Sequence, residues 1–216
     1  MIRRQLEKIT GSIERMRLKN KKFTIFCNNC LASFIYQKYN LQYLTPTISI
    51  NIKPCDFIKF CKNYKHYLSL EVEQTKICDK EWYASIGGGN NINFPLGKID
   101  DITLYFPHAT SFEQAKQDWD RRKTRIVEDN IFIILFDMIP DIKTAQEFEN
   151  IEHFPKLYLY HKGDEINTKS AFKIQKLENT SRAWWSRMNK LNPFSKKYFE
   201  QFDFTKWFNQ NFNQIS

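Results

Sequence analysis

No apolar run in this sequence approaches the roughly 18 residues that a spanning helix needs, and the opening Met1-Ile2-Arg3-Arg4 leads into an amphipathic segment rather than a continuously apolar one. Neither a membrane-spanning helix nor a cleavable signal peptide is expected, so the cytoplasm is the default compartment. Cysteine is sparse and irregular. The five residues at 27, 30, 55, 61 and 78 are odd in number and follow no framework, which argues against a disulfide scaffold. A zinc site would need a second closely spaced ligand pair, which Cys55, Cys61 and Cys78 do not supply, so no metal is expected. A phosphate loop is missing too: Gly87-Gly88-Gly89-Asn90-Asn91 has no following Lys-Ser/Thr, and no dinucleotide fingerprint follows a strand. The stretch 79–101 therefore reads as a mobile loop or turn. No internal repeat or low-complexity linker divides the chain.

What is present is an aromatic-rich chain of 216 residues with 19 Phe and 10 Tyr, enough to bury a sizeable core. Its net charge of +9 is uneven: residues 1–22 carry +6 and residues 182–216 carry +4, leaving −1 between them. A near-neutral body argues against a nucleic-acid partner. In the first segment Ile2, Leu6, Ile9, Ile13 and Met16 fall on one helical face, with Arg3, Arg4, Lys8, Arg15 and Lys19 opposite. At the other end Arg182, Trp184, Trp185, Arg187 and Met188, then Lys206-Trp207-Phe208, combine indoles and cations. Both ends suit an acidic membrane surface, which makes a peripheral position at the inner face of the cytoplasmic membrane an expectation. Packing of these segments on the body or on a second subunit is the alternative.

Five apolar runs predict strands at 23–27, 48–52, 102–106, 131–136 and 156–160, and helical patterns lie at 31–39, 56–70, 112–126 and 142–148. The alternation predicts a three-layer α/β/α fold with a mostly parallel or mixed central sheet. A basic helix over 1–22, a core over 23–165 and a helical basic, aromatic segment over 166–216 complete the expected organisation. Thr110 and Glu113 match a capping box at the start of the third helix. Its stripe of Phe112, Ala115, Trp119, Arg122 and Ile126 places a cation on an apolar face, where it should meet a carboxylate, preferably Asp137, or a ligand anion.

Polar residues follow the strand ends: Asn28, Asn29 and Cys30; Lys53; His108; Asp137; His161. Ligands of open α/β sheets bind at the carboxyl ends of strands, so the recurrence marks a site if the strands are parallel. Antiparallel strands would send part of the set to the far edge. Cys30 occupies a strand-to-helix elbow, where helix amides lower a thiol's pKa. A Cys30 thiol with His108 as base could attack a carbonyl, with Asn28 and Asn29 as donors to the oxyanion. The other reading is a small buried cysteine and a loop histidine. Cys27 and Cys30 also form a Cys-x-x-Cys, but Cys27 belongs by alternation to the strand. Asp118-Trp119-Asp120 imitates a glycosyltransferase metal motif, yet within a helix its carboxylates stand about 200° apart.

The runs Phe23-Thr-Ile-Phe-Cys-Asn28-Asn29-Cys30, Phe34-Ile-Tyr36, Thr45-Pro46-Thr47, Phe106-Pro-His108 and Glu113 to Ile126 with Trp119 and Arg121-Arg122, then Ile134-Leu-Phe-Asp137, together resemble the bacterial domain-of-unknown-function family 1919, often described as exopolysaccharide biosynthesis proteins. The resemblance spans about residues 22–165. It implies a three-layer α/β fold and a link to cell-surface glycan synthesis. The expectation is a transferase with Cys30 and His108 as catalytic pair, and Asn28, Asn29, Tyr36, Arg122, Arg125 and Asp137 on substrate. It would use an activated acyl or sugar donor and no tightly bound cofactor. A non-catalytic binder of glycans or lipid-linked sugars, and a glycosyl- or phosphosugar-transferase using Asp137, are the rival readings.

Overall fold

The computed structural model describes residues 10–89, 91–175 and 198–212. The fold is α/β. In chain order it runs β1 (Thr24–Cys27), α1 (Leu31–Lys38), β2 (Asn51–Ile52), α2 (Pro54–Lys62), α3 (Tyr64–Ser69), β3 (Glu73–Thr75), α4 (Lys80–Ser85), β4 (Leu96–Ile99) and β5 (Ile102–Tyr105). It continues with α5 (Phe112–Lys123), β6 (Ile131–Asp137), α6 (Ile142–Glu149), β7 (Lys156–Tyr160), β8 (Ala171–Lys173) and α7 (Phe204–Asn211).

The strands divide between two sheets. One has the order β1-β6-β7-β8 and is parallel throughout; the other, β2-β5-β4-β3, is antiparallel. All seven residues of β6 are buried, as expected of a parallel strand covered on both faces. Phe132, Ile134 and Phe136 pack with α1 and α7, while Ile131, Ile133 and Leu135 join Phe57, Phe60, Trp119 and Phe148 from the opposite layer. Alternation along one strand thus builds both cores.

The expected strand at 48–52 shortens to two residues and, with the strand beginning at Ile102, leaves the parallel sheet. Three further strands carried little signal. Glu73-Gln74-Thr75, for example, has no apolar residue to alternate and lies mostly exposed. The expected helix over 56–70 breaks at Asn63, whose φ of −140° and ψ of 44° leave the helical region. The third helix is capped by Ser111, which accepts from Gln114 N at 3.2 Å. Thr110, the expected cap, instead donates from N and Oγ1 to Gln114 Oε1.

The two chain ends meet. Phe204 and Phe208 are fully buried, and Phe208 packs at 4.6 Å from Phe23 and 4.8 Å from Phe132, ring centre to ring centre. Trp207 also lies against Phe132, at 5.2 Å. These rings are engaged by the core, so the docking alternative describes Lys206-Trp207-Phe208. Residues 10–16 are helical; beyond them Asn209 donates to Arg17 O and accepts from Lys19 N, while Thr205 donates to Glu14. Ile13 and Met16, from the expected apolar stripe, are 49% and 72% exposed. The rest of that stripe, Ile2, Leu6 and Ile9, lies outside the described residues, as do Arg182, Trp184, Trp185, Arg187 and Met188. No helix among the described residues is long and apolar enough to cross a membrane.

At the carboxyl end of β1 three strands are tied together by one residue, Asn28. Asn28 Oδ1 accepts from Phe136 N at 2.9 Å and its Nδ2 donates to Phe136 O at 3.2 Å, extending the β1–β6 ladder past the last paired residue. Its own carbonyl accepts from Ile52 N at 2.9 Å, joining the antiparallel sheet to the parallel one. The outer edge of β1 is covered as well, because Ile25 N donates to Tyr36 Oη at 3.1 Å and Cys27 N to Thr47 Oγ1 at 3.1 Å. Such an edge would otherwise invite pairing with another chain.

Replacing Asn28 by Ala leaves the buried N–H and C=O of Phe136 without partners, at about 1–3 kcal/mol per group. Urea unfolding should therefore show a loss of roughly 2–6 kcal/mol for Asn28→Ala. A variant with the wild-type midpoint and slope contradicts the junction's role.

Candidate active site

The junction feeds directly into a turn and a helix. After Cys27 the chain passes Asn28 and Asn29 and enters α1 with Cys30 as its N-terminal cap residue. Asn29 Oδ1 accepts from Leu31 N at 3.0 Å and from the Cys27 thiol at 3.5 Å. Burial raises the Cys27 thiol, and the nearby backbone amides of Asn29, Ala32 and Asn28 act in the opposite direction without offsetting it. The Asn29 side chain thus takes the first helix amide, and Cys30 makes no side-chain cap bond.

Cys30 Sγ lies 3.3 Å from His108 Nε2. This is the contact expected of a nucleophile and its base. His108 arrives from the end of β5, which belongs to the other sheet, and reaches Cys30 because the two sheets join at Asn28. The pair stands on the wall of a cavity of about 390 Å³, within the size range of small-molecule sites. Asn28, Asn29 and Asp137 line the same space.

The electrostatics differ from the expectation in one respect. Burial pushes the Cys30 thiol up to about 11, so desolvation outweighs any help from the helix end. Near neutral pH the sulfur is a thiol, and its S–H can donate to His108 Nε2 in the tautomer that carries the ring proton on Nδ1. No described residue accepts from that Nδ1, so the arrangement is a pair and not a triad. Cys27, fully enclosed, is pushed up to about 12 by burial.

Asp137 ends β6 and is 3% exposed. It accepts from Tyr158 Oη at 2.8 Å and from Ile139 N at 3.0 Å. Burial raises its carboxyl to about 6, within reach of proton exchange near neutrality.

Three of the expected substrate residues do not line this cavity. Tyr36 donates to Phe23 O at 2.9 Å and accepts from Ile25 N, a wholly buried role in holding the edge of β1. Arg125 follows the end of α5 on the loop into β6, which is the amino edge of the parallel sheet and therefore the edge away from Cys30. Arg122 does meet a carboxylate, but it is Asp118 one turn back on its own helix, at 3.0 Å, and not Asp137. Asn28 lines the cavity with both ends of its amide already committed to Phe136. Asn28 Nδ2 keeps one N–H beyond its bond to Phe136 O, and Asn29 Nδ2 has no described partner for either of its two.

The wall opposite Cys30 was not anticipated. Trp82, Tyr83, Ile86, Gly87 and Gly88 come from α4 and the turn after it. Asp79 caps this short helix through Trp82 N at 2.8 Å, and Lys53 pairs with Asp79, so Lys53 anchors the wall from outside the cavity. Gly87 has a φ of 84°, a conformation that suits glycine. A side chain at Gly88 would collide with the Tyr83 ring. The triple glycine thus shapes a turn under an aromatic wall, and the adjoining Trp82-Tyr83 was the available sequence signal. The Tyr83 hydroxyl is raised chiefly by burial, then by Cys30, while the Asn51 side chain acts to lower it. Among the described residues no group of three or more His, Cys, Asp or Glu side chains is arranged to hold a metal.

The chain matches, over residues 1–209, the family described as "Domain of unknown function (DUF1919)" and belongs to it. The match takes in both basic ends, which the resemblance read from the sequence had left outside. An uncharacterized protein of Haemophilus influenzae is 28% identical, with 96% of this chain and 93% of that protein covered.

A thiol raised to about 11 reacts with iodoacetamide only through its small thiolate fraction. The alkylation rate of Cys30, followed by peptide mass spectrometry to separate it from exposed Cys55, should keep climbing about tenfold per pH unit beyond pH 9. A plateau reached below pH 8 contradicts the protonated pair and indicates a thiolate–imidazolium ion pair.

Proposed function

We propose that this protein is a cysteine-dependent acyltransferase that acts on a sugar during synthesis of bacterial surface glycans such as capsule, exopolysaccharide or lipopolysaccharide. The observation that carries the reading is the 3.3 Å approach of Cys30 Sγ to His108 Nε2 on the wall of a ligand-sized cavity. The glycan assignment rests on the description attached to the family resemblance.

In this reading Cys30 Sγ attacks the carbonyl of an activated acyl donor while His108 Nε2 takes the thiol proton. Collapse of the tetrahedral intermediate expels the donor's leaving group, which carries away that proton, and leaves a thioester on Cys30. A sugar hydroxyl then attacks the thioester as His108 takes its proton; collapse releases the acylated sugar and the proton returns to Sγ. Because the free sulfur is a thiol, each attack needs proton transfer in the same step, which is the base's task. Asn29 Nδ2 is a side-chain donor available to the developing oxyanion. Trp82 and Tyr83 offer flat apolar faces to a sugar ring, and Asp137, ionised above about pH 6, can accept from its hydroxyls.

Attachment to an acidic membrane surface belongs to the same proposal. What supports it is the exposure of Ile13 and Met16 beside Arg17 and Lys19 on the described part of the basic segment. Glycan binding without catalysis is the second reading, favoured by the same aromatic wall.

Incubation with p-nitrophenyl acetate, a generic activated acyl ester, separates the two. Intact and peptide mass spectrometry should find one acetyl group per chain on Cys30, absent from Cys30→Ala and discharged by added sugar acceptors. Acetylation confined to other residues, or none at all in a folded protein, overturns the acyltransferase reading and leaves binding alone.

A further inference from the structure

Behind His108 lies a second, smaller cavity of about 130 Å³, between α5 and the loop at residues 46–50. Its polar lining comes from His108, Ser49, Gln114, Asp118, Trp119 and Arg122. The volume equals that of about four liquid waters, enough for a compact oxyanion. His108 borders both cavities, so a group held here would sit beside the Cys30 pair.

The lining is rich in donors and poor in free acceptors. Trp119 is 1% exposed, and its indole Nε1–H has no hydrogen-bond partner. An orphaned buried donor is uncommon and costs free energy unless something accepts from it. Gln114 Oε1 already takes two bonds from Thr110, which turns over the Nε2 end as the free one. The Arg122 side chain is only 16% exposed, and its guanidinium bonds to Asp118 and to Ile48 O. Asp118, the one carboxylate in the lining, is shared between Arg121 and Arg122. The Arg122 guanidinium is lowered chiefly by burial, then by Arg121 and Arg125 as like charges, with Asp118 opposing. Ser49 holds a φ of 61°, unusual for a residue with a side chain, and its hydroxyl faces Ser33 at 3.4 Å.

We propose that this cavity is an anion subsite, in which Trp119 Nε1–H, the Arg122 guanidinium and Gln114 Nε2 hold a phosphoryl or carboxylate group of the substrate next to His108. The assignment deepens the reading above by giving the substrate an oxyanionic group, and it rests on that reading only for what happens at Cys30. A donor-only set around a half-buried guanidinium discriminates against neutral ligands, since a hydroxyl cannot satisfy so many donors or balance the charge.

The test follows the five indole N–H cross-peaks of the full-length protein by two-dimensional NMR during titration with sodium phosphate, and separately with sodium acetate. Ionic strength is matched with chloride throughout. Trp119→Phe identifies the Trp119 peak by its loss; if that variant does not fold, the peak is identified as the indole perturbed in Arg122→Gln. A saturable shift of the Trp119 peak with phosphate or with acetate supports the proposal and tells a phosphoryl from a carboxylate source. Arg122→Gln should weaken that binding at least about tenfold, as expected for loss of a charge-assisted bond. A Trp119 peak that responds to neither anion, or responds equally in Arg122→Gln, overturns the proposal and leaves a water-filled void. Cys30→Ala should bind the anion like the wild type, so the subsite and the acyl-transfer reading fail or survive separately.

Discussion

Asn28 is the residue on which the rest of the site depends. A parallel sheet and an antiparallel sheet meet at this one position, where a side-chain amide completes the β1–β6 ladder and a main-chain carbonyl accepts from β2. An amide suits this task because it presents one donor and one acceptor in a plane, as a peptide group does. Aspartate could not donate, and an aliphatic side chain could do neither. With the junction made, the next two residues have little freedom, and Cys30 is delivered to face a histidine 78 positions further along the chain.

The two cysteines of the elbow divide the local chemistry. Cys27 donates to Asn29 Oδ1 and is sealed in the core, whereas Cys30 faces the cavity with its partner His108. A helix N-terminus stabilises an anion only where its N–H groups point, and here Leu31 N is taken by Asn29 Oδ1. The Cys30 sulfur is governed by desolvation. That makes the histidine indispensable to any nucleophilic role: a sulfur protonated in the resting state must lose its proton as it attacks. The pair lacks an orienting third group among the described residues, so the position of the imidazole rests on the packing of the Pro107–Ala109 turn between the two cavities.

Much of this was legible in the sequence, and the omissions have physical reasons. The elbow at 23–36 was plain from the switch between apolar alternation and helical spacing, and polar residues at strand ends pointed to Cys30, His108 and Asp137. That inference assumed parallel strands. It held for His108 because a strand of the second sheet ends at the same place. Tyr36 was misassigned because a tyrosine hydroxyl that closes a strand edge and one that binds substrate look alike in sequence. The partner of Arg122 was within reach, since Asp118 is one helical turn away and needs no tertiary contact to meet it. The Trp82–Tyr83 wall was hidden in a stretch whose glycines signalled only a turn, and a six-residue helix leaves too short a period to detect. The basic ends were read by composition, which does not distinguish an aromatic helix buried against Phe23 and Phe132 from one offered to lipid.

The central claim is that His108 activates Cys30, and the rate of Cys30 acetylation in His108→Ala, measured against wild type at pH 7.5 with both proteins shown to be folded, tests it most directly. General-base assistance of this kind contributes about 10²–10⁴-fold, so the account predicts a fall of at least about 100-fold, with partial recovery as the pH is raised and thiolate forms without help. Equal rates in the two proteins contradict it.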